Sequence, residues 1–270
     1  MRSMIVVASF ALLAACGGNN NSPSNEASIS PMRVQFAADN NFDQYDSLTS
    51  VGGITKAQFE AVIAAAHSVY DQKAKLGHEE LKINDNWDDK TVNANCMRSD
   101  GVVEINMYGG LARRVEVGVE GFALVLCHEL SHAYGGIPYI QTVSKMSAEG
   151  QADYAGAKDC LKAVLPVLES FEVEILPQLS PGEYAAQYCG AIYDDTDAGY
   201  SVCVRQYAAA QSLGNLLATL NGESVPNFET PDPTVVKKTL TSYPATTQCR
   251  LDTYNNGIQG KARPKCWFNK

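Results

Sequence analysis

The sequence predicts an α+β domain dominated by helix, with a small β-sheet beside one central helix. Two patterns carry that expectation. Apolar residues fall at helical spacing over several long stretches, while residues 81–107 alternate in the manner of strands broken by turn residues. A third observation fixes the centre: one helical stretch ends in His128-Glu129-Leu130-Ser131-His132.

Taken in order, Ile54 to Leu76 is spaced as a helix with His67 in its interior, where a lone histidine is expected to be a packed or capped residue, not a ligand. Leu81 to Met107 reads as strands, interrupted by Asn-Asp and Ser-Asp-Gly turns. From Glu116 to Cys127, the positions of Val119, Phe122, Ala123, Val125 and Leu126 predict a helix with a buried face, which carries the histidine motif. Gly135, Gly136 and Pro138 should stop it within a turn of His132 and let the chain reverse. A returning helix is expected from about Ser147 to Val164, with Gly150 as a weak point near its start. Cys160 to Leu176, Glu183 to Ile192 and Tyr200 to Leu220 read as further helices, and the tyrosines at 184, 188, 193, 200 and 207 are spaced for packing.

Two histidines four apart lie on one helix face, so both imidazoles reach a single ion at about 2.0–2.1 Å. Glu129, between them, is placed to take a proton from an attacking water without binding the metal. The only other histidines, His67 and His78, lie upstream. A metzincin site is excluded, because Pro138 stands where its third histidine belongs. Glu149 is the expected third ligand, with Asp153 one turn on to accept the other ring N–H of a ligand histidine. Two histidines and one glutamate with an open fourth position form a catalytic zinc (Zn2+) arrangement, whereas a closed site would be structural. The rival reading is a partly solvated helix face and an acidic first turn that complements a helix dipole.

At these residues the sequence resembles the gluzincin metallopeptidases of the HtpX and CAAX prenyl protease group, including their soluble periplasmic relatives. Val92-Asn93-Ala94-Asn95-Cys96, leading to Gly109-Gly110-Leu111, is similar to the strand and "gly-leu" segment that precede the zinc helix in that group. Val125 to His132 and Glu149 to Asp153 match the zinc helix and the Glu-x-x-x-Asp helix; the likeness covers about residues 85–165. The resemblance implies a zincin-like fold and zinc as cofactor. It also implies that the strand around Asn93, Ala94 and Asn95 pairs with the backbone of a protein or peptide substrate as an added strand. A weaker segment, Tyr243-Pro244 followed by Arg250, stands where the group has His-Pro and an arginine thought to stabilise the tetrahedral intermediate. It implies Tyr243 and Arg250 as catalytic residues that share the oxyanion.

Met1 to Ala15, with Arg2 and an apolar core from Ile5 to Leu13, reads as a signal peptide too short to span a bilayer. Leu13-Ala14-Ala15-Cys16 resembles a bacterial lipobox, which implies lipidation at Cys16; an ordinary cleavage site is the alternative. Gly17 after Cys16 would direct a Gram-negative lipoprotein to the outer membrane. Residues 16–31, with their Gly, Asn, Ser and Pro, should tether one catalytic domain over 32–270. No run of about 18 apolar residues follows the signal, so the only expected membrane contact is the lipid anchor.

Export makes disulfides expected. With Cys16 lipidated, seven of the eight cysteines remain, and Cys127 is the expected free one, within the zinc helix and off the metal face. Cys96, Cys160, Cys189, Cys203, Cys249 and Cys266 would then pair in an order the sequence leaves open; Cys249 with Cys266 is the shortest closure near the C-terminus. The 21 basic and 30 acidic residues give a net charge of −9, or −10 once Arg2 is lost, which argues against nucleic acid as a partner. The sequence thus points to a zinc endopeptidase of the bacterial envelope, lipid-anchored on the periplasmic face. The alternatives are an envelope assembly factor that uses the same groove to hold proteins, and a structural, disulfide-stapled surface protein without zinc.

Overall fold

The computed structural model describes residues 32–40, 42, 53–171, 182–244 and 246–270. The expected signal, Cys16 and the tether lie outside them. The described chain is a mixed α+β fold, with one helix, Val119–Tyr134, buried at its centre between a four-stranded sheet and a layer of helices.

The sheet is built from β1 (Met32–Gln35), β2 (Glu80–Asn86), β3 (Ala94–Ser99) and β4 (Val102–Tyr108), in spatial order β1-β3-β4-β2. β3 and β4 form a hairpin through Asp100 and Gly101, both at positive φ (50° and 77°), the conformation a two-residue Asp-Gly turn requires. Alternation sends Val103, Ile105 and Met107 of β4 into the core, each fully buried. On the opposite face Asn106 donates to Asn95 at 3.0 Å and accepts from Asn84 at 2.9 Å, so the amides satisfy one another across three strands.

Helix α1 (Lys56–Leu76) starts on a capping box: Gln58 N–H donates to Thr55 Oγ1, and Thr55 N–H donates to Gln58 Oε1 at 2.8 Å. Its Phe59 meets Phe122 of the central helix at 4.7 Å between ring centroids, which locks the two helices under the sheet. A single turn, α2 (Gly109–Ala112), leads to the central helix α3 (Val119–Tyr134), whose residues are buried all round up to Ala133. A helix buried on every side belongs inside a domain. It ends at Gly135, as the sequence predicts. A small hairpin, β5 (Tyr139–Gln141) with β6 (Met146–Ser147), reverses the chain.

The expected helix over 147–164 is three pieces: α4 (Glu149–Ala155), a π-turn over Gly156–Cys160, and α5 (Leu161–Glu169). The wide turn coincides with a close approach. A side chain at Gly156 would sit 3.2 Å from the Cys127 backbone of α3, and the register slip admits that contact. α6 (Glu183–Gly190), α7 (Ala198–Asn221) and α8 (Thr247–Ile258) complete the helical layer. The tyrosines 184, 188, 193, 200 and 207 pack together between α6 and α7, as their spacing predicts.

One expectation is corrected here. Cys127 is not the free cysteine: it is joined to Cys160, and the other pairs among the described residues are Cys189–Cys203 and Cys249–Cys266, the short C-terminal closure. Cys127 does point off the metal face, but the π-turn brings Cys160 onto that same side of α3. Among the described residues the free thiol is Cys96, fully buried in β3 on the core side of the sheet. The strand expected to pair with a substrate is β3. β3 is interior, because β1 already pairs with it antiparallel, Val34 opposite Cys96 and Gln35 opposite Asn95. Among the described residues, no helix is long and apolar enough to cross a membrane.

Candidate metal centre

His128 and His132 are one turn apart on α3, and Glu149 opens α4, which runs back across them. Their Nε2 atoms are 3.0 Å apart, and Glu149 Oε2 lies 3.3 Å from His128 Nε2 and 3.5 Å from His132 Nε2. Ligand atoms about 2.0–2.1 Å from a tetrahedral ion are themselves about 3.3 Å apart, so this triangle has the right size to hold one. The opposite ring nitrogens are both engaged: His128 Nδ1 with Asp153 Oδ1 at 2.8 Å, and His132 Nδ1 with the Ser147 carbonyl at 2.8 Å. Both acceptors require N–H at Nδ1, which leaves the two neutral rings with lone pairs on Nε2 aimed at one point. Facing lone pairs at that separation repel unless a cation joins them, and the Glu149 carboxylate beside them adds the third donor.

Asp153 is the most heavily bonded group of the site. Besides His128 it accepts from Arg250 Nη2 at 2.7 Å, from Arg250 Nε at 2.8 Å and from the Tyr254 hydroxyl at 2.9 Å, all buried. Burial works to raise its pKa, but the Arg250 charge and His128 outweigh it, and the carboxyl is held well below the usual range. Burial disfavours the charged form of His128, while the adjacent Asp153 more than compensates and moves it upward. Burial alone would raise Glu149; the two histidines instead bring it down to about 2.

Glu129 differs from these. Both its carboxylate oxygens are buried with no hydrogen-bond partner among the described residues. Burial pushes its pKa up to about 8 against the pull of His128, with the Glu149 charge adding to the rise. An acidic group held unsatisfied next to two convergent histidines is free to exchange a proton with a bound molecule.

The remaining sequence-predicted residues fall around this centre in roles of their own. Arg250, on α8, is 3% exposed and turned toward Asp153, with its Nη1 donating to the Phe36 carbonyl at 2.8 Å. Tyr243 is half-buried and donates its hydroxyl to the Gln35 carbonyl at 2.8 Å; burial, with Glu149 near, pushes that hydroxyl up and keeps it a donor. Asn93 ties down Ala37, accepting its N–H at 3.1 Å and donating to its carbonyl at 3.0 Å. Ala94 accepts the N–H of Phe36, and Asn95 donates to Tyr108.

Three participants were not read from the sequence. Phe36 sets its ring edge-on to His128 at 5.4 Å and under the Arg250 guanidinium at 4.7 Å. Ser147 acts through its main chain, which leaves no signal in residue identity. Tyr254 had one: it follows Arg250 by four residues, on the same face of α8. A second grouping of potential ligands, Asp232 with Cys249 and Cys266, is spent, since both thiols are in a disulfide.

Compared with protein-family models, curated proteins and solved structures, the chain has no significant match.

Proposed function

We propose that this protein is a zinc-dependent endopeptidase with a zincin-like fold, of the gluzincin type, anchored through Cys16 in the bacterial envelope. One observation carries the reading: the convergence of His128 Nε2, His132 Nε2 and Glu149 Oε2 within 3.0–3.5 Å, with both Nδ1 atoms held by acceptors. Zinc at that point would polarise a peptide carbonyl and acidify water. His128, His132 and Glu149 would hold it. Asp153 keeps His128 in the ligating tautomer, and Arg250 keeps Asp153 ionised, so Arg250 is a positioning residue in this scheme. Glu129 accepts the proton of the attacking water and passes it to the leaving amine. Tyr243 already donates to a peptide carbonyl and supplies the same hydrogen bond to a substrate carbonyl as charge develops there. The three disulfides fit an oxidising compartment.

The test is zinc content of the mature chain beside His128→Ala, Glu149→Ala and Glu129→Gln. One zinc per chain is expected in the wild type and in Glu129→Gln, with loss in the other two and peptide cleavage absent from all three variants. Zinc that survives loss of Glu149 would sink the assignment. The burial of the site, with His128, Glu129 and His132 at 0% exposure and Glu149 at 4%, favours a second reading, an envelope assembly factor that holds proteins without cutting them. In that case Glu129→Gln retains full function in the cell.

A further inference from the structure

The centre is closed by the chain's own N-terminal strand, and the way that strand is held resembles the way a groove holds a peptide. β1 lies antiparallel to β3 in continuous register from Met32 to Gln35, and Phe36 N–H extends the ladder to the Ala94 carbonyl at 3.1 Å. Four of its other hydrogen bonds also hold its main chain, beside three to the side chains of Met32, Arg33 and Gln35. The Gln35 carbonyl accepts from Tyr243, the Phe36 carbonyl from Arg250, and Ala37 is gripped at both N–H and carbonyl by Asn93. Backbone hydrogen bonds on two sides fix an extended segment almost regardless of its sequence, which is the signature of strand addition. Three of its side chains are buried, Val34, Phe36 and Ala37, and Phe36 sets its ring against His128. Beyond it, Ala38 and Asp39 are exposed.

We infer that residues 32–37 are an internal occupant of the peptide groove, and that the peptide which replaces them places an aromatic or large apolar side chain in the Phe36 pocket beside His128. The inference rests on the peptidase reading of the centre. It names the substrate class as an extended segment with such a residue, and it makes release of β1 the step that opens the site. Arg33 and Met32, which precede the gripped carbonyls, are bonded away from the centre, Arg33 to the Tyr108 hydroxyl and Met32 to the Ser144 hydroxyl.

The experiment uses the full mature chain with a specific protease recognition sequence inserted between Ala38 and Asp39. It is made both with Glu129 intact and as Glu129→Gln, and read by binding of a labelled synthetic peptide of residues 32–38. Before nicking, no labelled peptide should bind. After nicking, the native segment should exchange out, and labelled peptide should bind at one per chain while zinc is retained. The same peptide carrying Phe36→Asp should bind at least about tenfold more weakly, because a charge would enter an apolar pocket. An unrelated extended peptide with a phenylalanine should compete. With Glu129 intact, nicking should raise hydrolysis of that peptide at least about tenfold. The inference is overturned if the nicked chain never exchanges the segment, or if exchange costs the zinc and the helical signal; β1 is then a fixed wall. It is also overturned if the uncut chain hydrolyses peptide as fast as the cut one, a result that would leave the peptidase reading standing. Binding and competition without any hydrolysis would do the reverse, removing the peptidase reading and keeping the groove.

Discussion

At the scale of single residues, the centre depends on Asp153 because one carboxylate serves two neighbours that cannot do without it. It fixes the His128 ring and neutralises Arg250, a guanidinium at 3% exposure. Asp153→Asn should therefore cost about 3–5 kcal/mol by leaving a buried charge unpaired, measurable by denaturant unfolding. It should also weaken zinc binding about 10–100-fold, because the histidine loses its orienting partner. A loss confined to zinc affinity would mean that Arg250 finds another partner. The pH dependence follows from the downward shift of Asp153. Its folded-state pKa lies below the unfolded value of about 3.9, so its contribution is complete above that pH and is lost as pH falls toward the folded value. Unfolding curves of the wild type should fall away below about pH 4, and Asp153→Asn should remove part of that slope. These four residues, His128, His132, Glu149 and Asp153, were legible in the sequence because helical spacing puts each pair on one face of its helix and the stop signals after His132 let the second helix return. Phe36 was not, since contact between residues 36 and 128 depends on a strand pairing that no local pattern announces.

Among the elements, legibility tracked how much of the structure is local. α1, α3 and α7 agree with their apolar spacing to within two or three residues. The β3–β4 hairpin is written in Ser-Asp-Gly. The helix expected over 147–164 is present as one unbroken helical run, and only its π-turn went unread, because that turn answers to the Cys127 backbone and not to its own residues. β1 is four residues long and α8 is rich in Thr, Asn and Gln, so neither shows a period strong enough to read. Gly150, a weak helix former on propensity, has a tertiary reason to be glycine: a side chain there would run into the Trp267 ring. Gly150→Ala should thus destabilise by about 1–3 kcal/mol despite its better helix propensity, and thermal unfolding of the variant decides between the two effects. The Cys127–Cys160 disulfide closes a loop of 33 residues between α3 and the π-turn. Replacing both by serine should cost about 4 kcal/mol on the chain-entropy account, with peptide mapping of the wild type expected to recover that pair and an unpaired Cys96.

For the whole molecule, the proposed zinc and the fold should be one thermodynamic system, because α3, which would carry two of its ligands, is also the central helix of the core. Two of the candidate ligands lie on α3 and the third on α4, which packs against α8 in turn. A ligand that binds only the native state adds RT ln(1 + [L]/Kd), about 2.7 kcal/mol at a hundredfold excess over Kd. For a chain of this size that is about 5–10 °C in Tm. Removing zinc with a chelator should lower Tm by that order in the wild type and leave His132→Ala unchanged. Cys96 reports whether the coupling is global. Its thiol is fully buried in β3 and its pKa is pushed up by burial, so an alkylating reagent reaches it only when the sheet opens. If opening is global, zinc should slow Cys96 labelling by the same factor that it raises the folding constant. If β1 can leave on its own, Cys96, which sits opposite Val34 in that pairing, should label at a rate that zinc hardly changes. Equal slowing would bind β1 to the global fold and count against its role as a releasable occupant; zinc-independent labelling that ends with both native helices and bound zinc intact would support it.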